Sequence, residues 1–427
     1  MNGQKTIHEI LESHFGNALD FEQHLAEPVL RQMPYAPAVF ALAGADPKAQ
    51  PYIGRTPNLR GRLGRLLVPS ERHPRRLHLA TLVRTIHWQP VGSDFEALAL
   101  QFQLLEALYE EDSLARMHLR QPAFVRFHGG NRFPRLSVTH RPSGRDPQWN
   151  FGPFASRSAA ERYVEELDKF FALRRCTEEL EPSSAHPGCV YSEMKMCLAP
   201  CNKSIQEVDY GAVATSAEAF LRTRGASKIK ALTEQRDAAS AALEFEQAAL
   251  LHAQLQRVEG IRSLAPELAQ AMDGLTALVL QPSAEPESVA LFLFSAGCLH
   301  GPIHYSTVGM RIQNENSGSS SLFSHPVALE PVPEEAAHVE PVRLAKGVLE
   351  ERLTAVLARL AEAQSNHSPA LQHGSLALLK RWYYRPEVKR VGEVFFPEED
   401  GSWPAKAILR GIGRVAARQI FGAGREE

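Results

Sequence analysis

The sequence predicts a multidomain α/β protein: a small α/β domain, a four-Cys module, a helical hairpin and a C-terminal α+β region. Three observations predict it. The 427 residues exceed one domain of about 100–200 residues, and 44% apolar residues can fill more than one core. An apolar strand, a turn, a second strand and a Leu-rich helix follow one another between Pro37 and Leu66. Four of the five Cys fall between Cys176 and Cys201, and a Pro-free stretch rich in Ala, Leu, Glu and Gln follows at 227–263.

The elements come in order. Residues 1–33 read as a helical segment, with Ile7, Ile10 and Leu11 on one face and Leu25, Val29 and Leu30 on another. Within 34–112, Pro37–Ala43 and Pro51–Gly54 read as a strand pair around a turn. Thr56-Pro-Asn58 opens a helix carrying Leu59, Leu63 and Leu66, and a second helix runs from Asp94 to Tyr109. Residues 113–175 connect, with a strand at Arg132–Thr139, a turn at Phe151–Phe154 and an amphipathic helix bearing Ala160, Tyr163, Val164, Leu167 and Phe170. The four-Cys module takes 176–222 and the helical hairpin 223–265. Residues 266–427 form an α+β region without an assigned role. It has strands at 275–280 and 289–294, a Ser/Gly loop at 317–321 and a helix at 345–364.

A net charge of −2 excludes a uniformly basic coat. Locally the balance differs. Between Tyr52 and Pro90, Arg55, Arg60, Arg62, Arg65, Arg72, Arg75, Arg76 and Arg84 face one acid, Glu71. Such a stripe is the footprint expected of a phosphate-backbone binder, although a solvated helix surface has the same composition. No apolar run reaches the ~18 residues that span a bilayer, no signal-peptide pattern precedes Leu19, and Cys is sparse. A cytoplasmic protein with no membrane partner is expected.

Seven motifs carry a resemblance. Pro37-Ala-Val-Phe40, Tyr52-Ile-Gly54 and Asn58-Leu-Arg60-Gly-Arg62-Leu63 resemble the GIY-YIG nuclease core. Phe133-Pro-Arg-Leu136, Phe151-Gly-Pro-Phe154, Phe171-Ala-Leu-Arg-Arg-Cys176 and Cys197-Leu-Ala-Pro-Cys201 narrow it to the UvrC family of bacterial excinuclease subunits, over about residues 34–262. The resemblance implies nucleotide excision repair: binding of damaged double-stranded DNA and hydrolysis of a phosphodiester near the lesion with Mg²⁺ or Mn²⁺. By position, Tyr52 matches the second Tyr of the family, Arg62 its catalytic Arg, and Arg55 a usual Lys. Arg60, Arg65, Arg72, Arg75 and Arg76 are the expected DNA contacts.

Two positions depart from the family. Phe40 stands where the first Tyr is expected, and a phenyl ring neither donates nor accepts the hydrogen bond required. Gln101 stands where a metal-anchoring Glu is expected, and an amide is a poor ligand for a hard cation. Glu96 and Glu106 lie ~140° away around the helix, so neither substitutes. Two further readings therefore stand beside the endonuclease: a non-catalytic DNA-binding or regulatory repair subunit, and a redox-sensing scaffold.

Four thiols, Cys176, Cys189, Cys197 and Cys201, suit a metal site in a reducing compartment. Only Cys197 and Cys201 make a close pair, where zinc sites usually have more than one, and the resemblance implies a four-iron, four-sulfur cluster. Zinc is the alternative. Leu243-Glu244-Phe245-Glu246 resembles the motif through which this family docks on its UvrB helicase partner, with Phe245 as apolar anchor between Glu244 and Glu246. Leu409-Arg-Gly-Ile-Gly413 fits a helix-hairpin-helix spacing. No acidic cluster in 266–427 matches the family's second, ribonuclease-H-like nuclease domain, which is expected to be missing.

Overall fold

The computed structural model describes residues 6–69, 77–142, 146–310, 312, 345–362 and 368–422. In chain order, α1 spans Ile7–His14, β1 Asn17–Asp20, α2 Ala26–Gln32, β2 Ala38–Gly44, β3 Tyr52–Thr56, α3 Leu59–Leu67, β4 Val83–Pro90, α4 Asp94–Tyr109 and α5 Ser113–Arg116. Next come β5 Ala123–Phe127, β6 Leu136–Thr139, β7 Asn150–Phe154, α6 Arg157–Phe171, α7 Val190–Glu193, α8 Glu207–Arg222, α9 Ala226–Ala241, α10 Phe245–Ser263 and β8 Gln270–Ala271. The rest is β9 Ala277–Pro282, β10 Ser288–Ser295, β11 Cys298–Ser306, α11 Lys346–Glu362, α12 Pro369–Tyr383, β12 Glu393–Phe395 and α13 Ala405–Gly422.

Two compact units result. The first gathers residues 1–119, 276–378 and 385–427, and the second 120–275 and 379–384. In the first unit an antiparallel sheet of order β1-β4-β2-β3 leaves β3 at an edge. Strand alternation splits its side chains between two layers. Ala38, Phe40 and Leu42 pack with Leu59, Leu63, Leu66 and Leu67 of α3. Val39 and Ala41 pack on the other side with Ile10 and Leu11 of α1 and Ala97 and Leu104 of α4. Local caps fix the helices: Asn58 accepts from Gly61 N at 2.9 Å, and Ser93 accepts from Glu96 N at 3.0 Å.

The first 33 residues are not wholly helical. Asn17–Asp20 pairs antiparallel with β4, its alternating side chains too few to announce a strand.

The C-terminal region is not separate from the first sheet. Its own sheet, order β11-β10-β9-β12, carries α11 and α13 on a shared core. It also packs on α4: the Phe95 and Phe292 rings meet edge-on at 5.2 Å. At Gly374 of α12 a Cβ would lie 1.9 Å from Phe102 Cζ, so only glycine admits that approach. Residues 317–321 lie outside the described residues.

In the second unit the sheet order is β6-β5-β7-β8. Residues 151–154, expected as a turn, belong to strand β7; the Gly-Pro pair coincides with a register shift against β5 rather than a reversal. The connecting segment and the hairpin, distinct in composition, share one core, in which Phe151, Leu167 and Phe220 meet Leu232, Leu255 and Val258. The 227–263 stretch is the two-helix hairpin α9–α10, turned at Leu243 with φ +62°.

Candidate functional site

Tyr52 and Arg62, the two residues that match the nuclease core, meet. Arg62 Nη2 donates to Tyr52 Oη at 2.8 Å. The contact follows from the fold, because Asn58 starts α3 immediately after β3 and the helix returns along the α3 face of the sheet. Phe40 lies beside them on that face but is fully buried, its ring 6.1 Å from the Tyr52 ring. A Cβ on Gly54 would come 2.9 Å from Phe40 Cζ, so the phenyl fills the space across β3.

Gln101 is on the opposite layer. It belongs to α4, whose Ala97 and Leu104 pack beneath Val39 and Ala41. Chain direction brings it to the Tyr52 end. Pro90, Ala38 and Thr56 are aligned across the sheet, and α4 starts there and runs back. Gln101 lies about 10 Å beyond Asp94 along α4, and Tyr52 lies about 10 Å from Arg55 along β3. Among the described residues β3 is the edge strand of this sheet, between the two layers that carry the Tyr52–Arg62 pair and α4. With an amide at 101 and a buried phenyl at 40, these residues do not make a carboxylate-anchored divalent-ion site.

The arginines divide by task. Arg55 pairs with Asp94, and Arg385 reaches the other Asp94 oxygen at 2.5 Å. Arg60 donates from Nε to Met33 O at 2.7 Å and from Nη2 to Arg31 O at 2.9 Å, and it stacks on Tyr35 at 4.2 Å. It closes the C-terminus of α2. Arg65 is exposed on α3. Arg72, Arg75 and Arg76 lie outside the described residues.

The second unit holds a basic cluster that the sequence reading missed, because its members are spread over fifty residues. Burial, then Arg135, Arg126 and Arg174, push the His128 imidazole down to about 4. Arg174, itself buried, donates to Phe133 O at 2.7 Å, to Glu178 O at 2.8 Å and to Cys176 Sγ at 3.7 Å.

Cys176 follows α6, Cys189 caps α7, and Cys197 and Cys201 bracket a turn with Ala199 in the left-handed region. Among the described residues no three His, Cys, Asp or Glu side chains form a metal-holding group. The thiols are still neighbours: burial pushes Cys197 up, the Ala199 N–H opposes this, and Cys189, Cys176 and Cys201 each add to it. That N–H donates to Cys197 Sγ at 3.3 Å. Two of the four sulfurs, those of Cys197 and Cys176, thus have an N–H donor, the kind of partner that stabilises a thiolate.

At the hairpin tip, Glu244 precedes α10 and Phe245 opens it, 66% exposed beside an exposed Leu243. The Leu409–Gly413 motif is not a helix-hairpin-helix: it lies inside the continuous helix α13, where its backbone N–H groups are taken by the helix. No helix among the described residues is long and apolar enough to cross a membrane.

Comparison with known proteins gives two family matches: the UvrC/Cho excinuclease middle domain at residues 123–220 and the UvrB/UvrC motif at 226–261. UvrABC system protein C of Alcanivorax borkumensis is 30% identical over 211 residues, 49% of this chain and 34% of that protein. The protein of the same name from Ruegeria pomeroyi is 30% identical over 240 residues, 56% and 38% of the two chains. That of Moorella thermoacetica is 26% identical over 326 residues, 76% and 52%. The chain thus spans between a third and about half of these relatives. No solved structure matches. A UvrC/Cho middle-domain match followed directly by a UvrB/UvrC-motif match, both lying on the core of the second unit, makes this part of the chain similar to UvrC proteins.

Proposed function

We propose that the chain is a nucleotide excision repair protein that binds duplex DNA, and that its GIY-YIG-like layer holds DNA without cutting it. The observation that carries this reading is the pair of replacements around an otherwise formed Tyr52–Arg62 contact: Phe40 is sealed in the core, and Gln101 offers no carboxylate. Arg55 on the edge strand β3, Arg62 against Tyr52 and the exposed Arg65 on α3 supply cationic donors suited to phosphate. Damaged DNA is the substrate class that the sequence resemblance implies. The hairpin tip supports docking on a UvrB-like helicase subunit, with Phe245 as anchor and Glu244 and Glu246 flanking it. The four Cys support an iron–sulfur cluster, with zinc as the other candidate; when bound, it would hold together the loops from 176 to 201.

A second reading, a slow endonuclease, is favoured by the 2.8 Å Arg62–Tyr52 hydrogen bond alone. The deciding experiment incubates the purified chain with nicked and lesion-bearing duplex in Mg²⁺ or Mn²⁺. Salt-dependent binding without incision is expected. Robust metal-dependent cutting that Tyr52→Phe abolishes would replace the binding role with the enzymatic one.

A further inference from the structure

One carboxylate at the end of the first sheet is shared by two arginines from distant parts of the sequence. Asp94, in the first turn of α4, gives one oxygen to Arg55 Nη1 and the other to Arg385 Nη2, the latter at 2.5 Å. Arg55 comes from β3 and Arg385 from the segment after α12. Their side chains and that of Asp94 are 36%, 30% and 42% exposed, so the trio faces water.

We infer that Arg55 and Arg385 form a seat for one phosphate of the DNA backbone, and that the Asp94 carboxylate fills this seat as an internal stand-in. The inference rests on the DNA-binding reading above and adds to it a residue from the C-terminal region. Two guanidiniums aimed at one point repel unless an anion lies between them. Asp94 supplies that anion, with two oxygens each held by a different arginine. A phosphodiester presents the same pattern: one negative charge on two free oxygens, each able to accept from a guanidinium. Exchanging carboxylate for phosphate leaves the charge between the arginines unchanged. Exposed ion pairs are weak, so a duplex already held elsewhere on the surface can displace Asp94. The elsewhere is close: Tyr52, which accepts from Arg62 of α3, begins the same strand, about 10 Å from Arg55 along it, a distance a few phosphates of one strand cover.

A purely structural trio, which merely ties Arg385 to α4, predicts the opposite response to removing the acid. The test uses the full chain with Asp94→Asn, Arg385→Gln and the double variant, measuring duplex affinity against salt. A separate arm measures the melting shift in inorganic phosphate against chloride of equal ionic strength. Asp94→Asn should bind duplex several-fold tighter and steepen the log–log salt slope by about 0.9. It should also gain a phosphate-specific melting shift. Both gains should vanish when Arg385→Gln is added. Should Asp94→Asn fail to fold, Arg385→Gln alone should lower duplex affinity several-fold, and an unchanged affinity overturns the seat. A natural chain that binds DNA while Asp94→Asn changes neither affinity nor phosphate response overturns the seat and leaves the DNA reading standing. A phosphate-specific shift that needs Arg385, in a chain that binds no duplex, keeps the seat and removes the DNA reading.

Discussion

Arg60 and Arg65 share α3 and the same charge, yet their surroundings assign them different work. Arg60 closes α2 through two backbone carbonyls, whereas Arg65 is exposed. Arg60→Ala should therefore lower stability by about 1 kcal/mol, read by urea unfolding, as well as altering DNA binding. Arg65→Ala should leave stability alone and reduce the salt slope of duplex binding by about 0.9. Equal stability losses in both would mean that Arg65 is structural too. Glu96 gives a pH signature. Burial pushes its carboxyl up to about 7, the Gly92 N–H works against this at 2.7 Å, and Glu285 adds to it. In the unfolded chain the group ionises near 4.5, so between that pH and about 7 the unfolded state holds fewer protons than the folded one. Stability contributed by this site is fully present below that window and falls as pH rises through it. Glu96→Gln should flatten the fall, which is at most about 3 kcal/mol. A stability profile unchanged by the substitution would put the carboxyl in water.

Helix α13 shows how a motif and an element can compete. Gly411 and Gly413 have the spacing of a phosphate-binding hairpin, but the apolar residues Ile408, Ile412 and Val415 keep a helical period straight through them and bury against β9 and β10. The glycines then differ in what surrounds them. A Cβ on Gly413 meets open space, so Gly413→Ala should stabilise by about 0.5–1 kcal/mol. A Cβ on Gly411 would come 2.6 Å from Phe395 Cζ, so Gly411→Ala should destabilise by about 1–3 kcal/mol. Thermal melts of the two variants check this, and opposite signs are expected; parallel losses in both would favour a bent motif over a helix. The same competition explains what was legible in the sequence. Long periodic elements such as α4, at Asp94–Tyr109, and the α9–α10 hairpin can be read directly from periodicity. Strands of two to four residues, β1, β8 and β12, gain their identity only from a partner strand far away in sequence. The candidate site divides in the same manner. Phe40 and Gln101 are visible as replacements within a motif. That they lie in different layers, and that Asp94 joins Arg55 to Arg385, is tertiary and leaves no local pattern.

Each unit of the molecule carries its own apolar core, and this sets the reach of any change at the four Cys. Leu180 and Leu198, from the Cys-bearing loops, pack on the core shared by β5, β7, α6, α8 and the hairpin. Backbone bonds tie the loops down at two further points: Ser183 N donates to Cys201 O at 2.9 Å, and Leu198 N to Ala172 O at 2.9 Å. The cores around β2, α4 and β10 contain no residue of these loops. Ligand binding by thiolates is also folding energy for the segment that supplies them. The chain purified without oxygen should carry either iron with broad visible absorbance or stoichiometric zinc, and Cys201→Ser should lose it. Hydrogen exchange should then show faster exchange in residues 176–205 and in α6 and α8, which line the core beneath them. Residues 38–44, 94–105 and 288–295 should keep their protection. Metal-free protein with unaltered exchange in Cys201→Ser would leave the thiols as ordinary packing groups. Loss of protection spread evenly over both units would show that they unfold together.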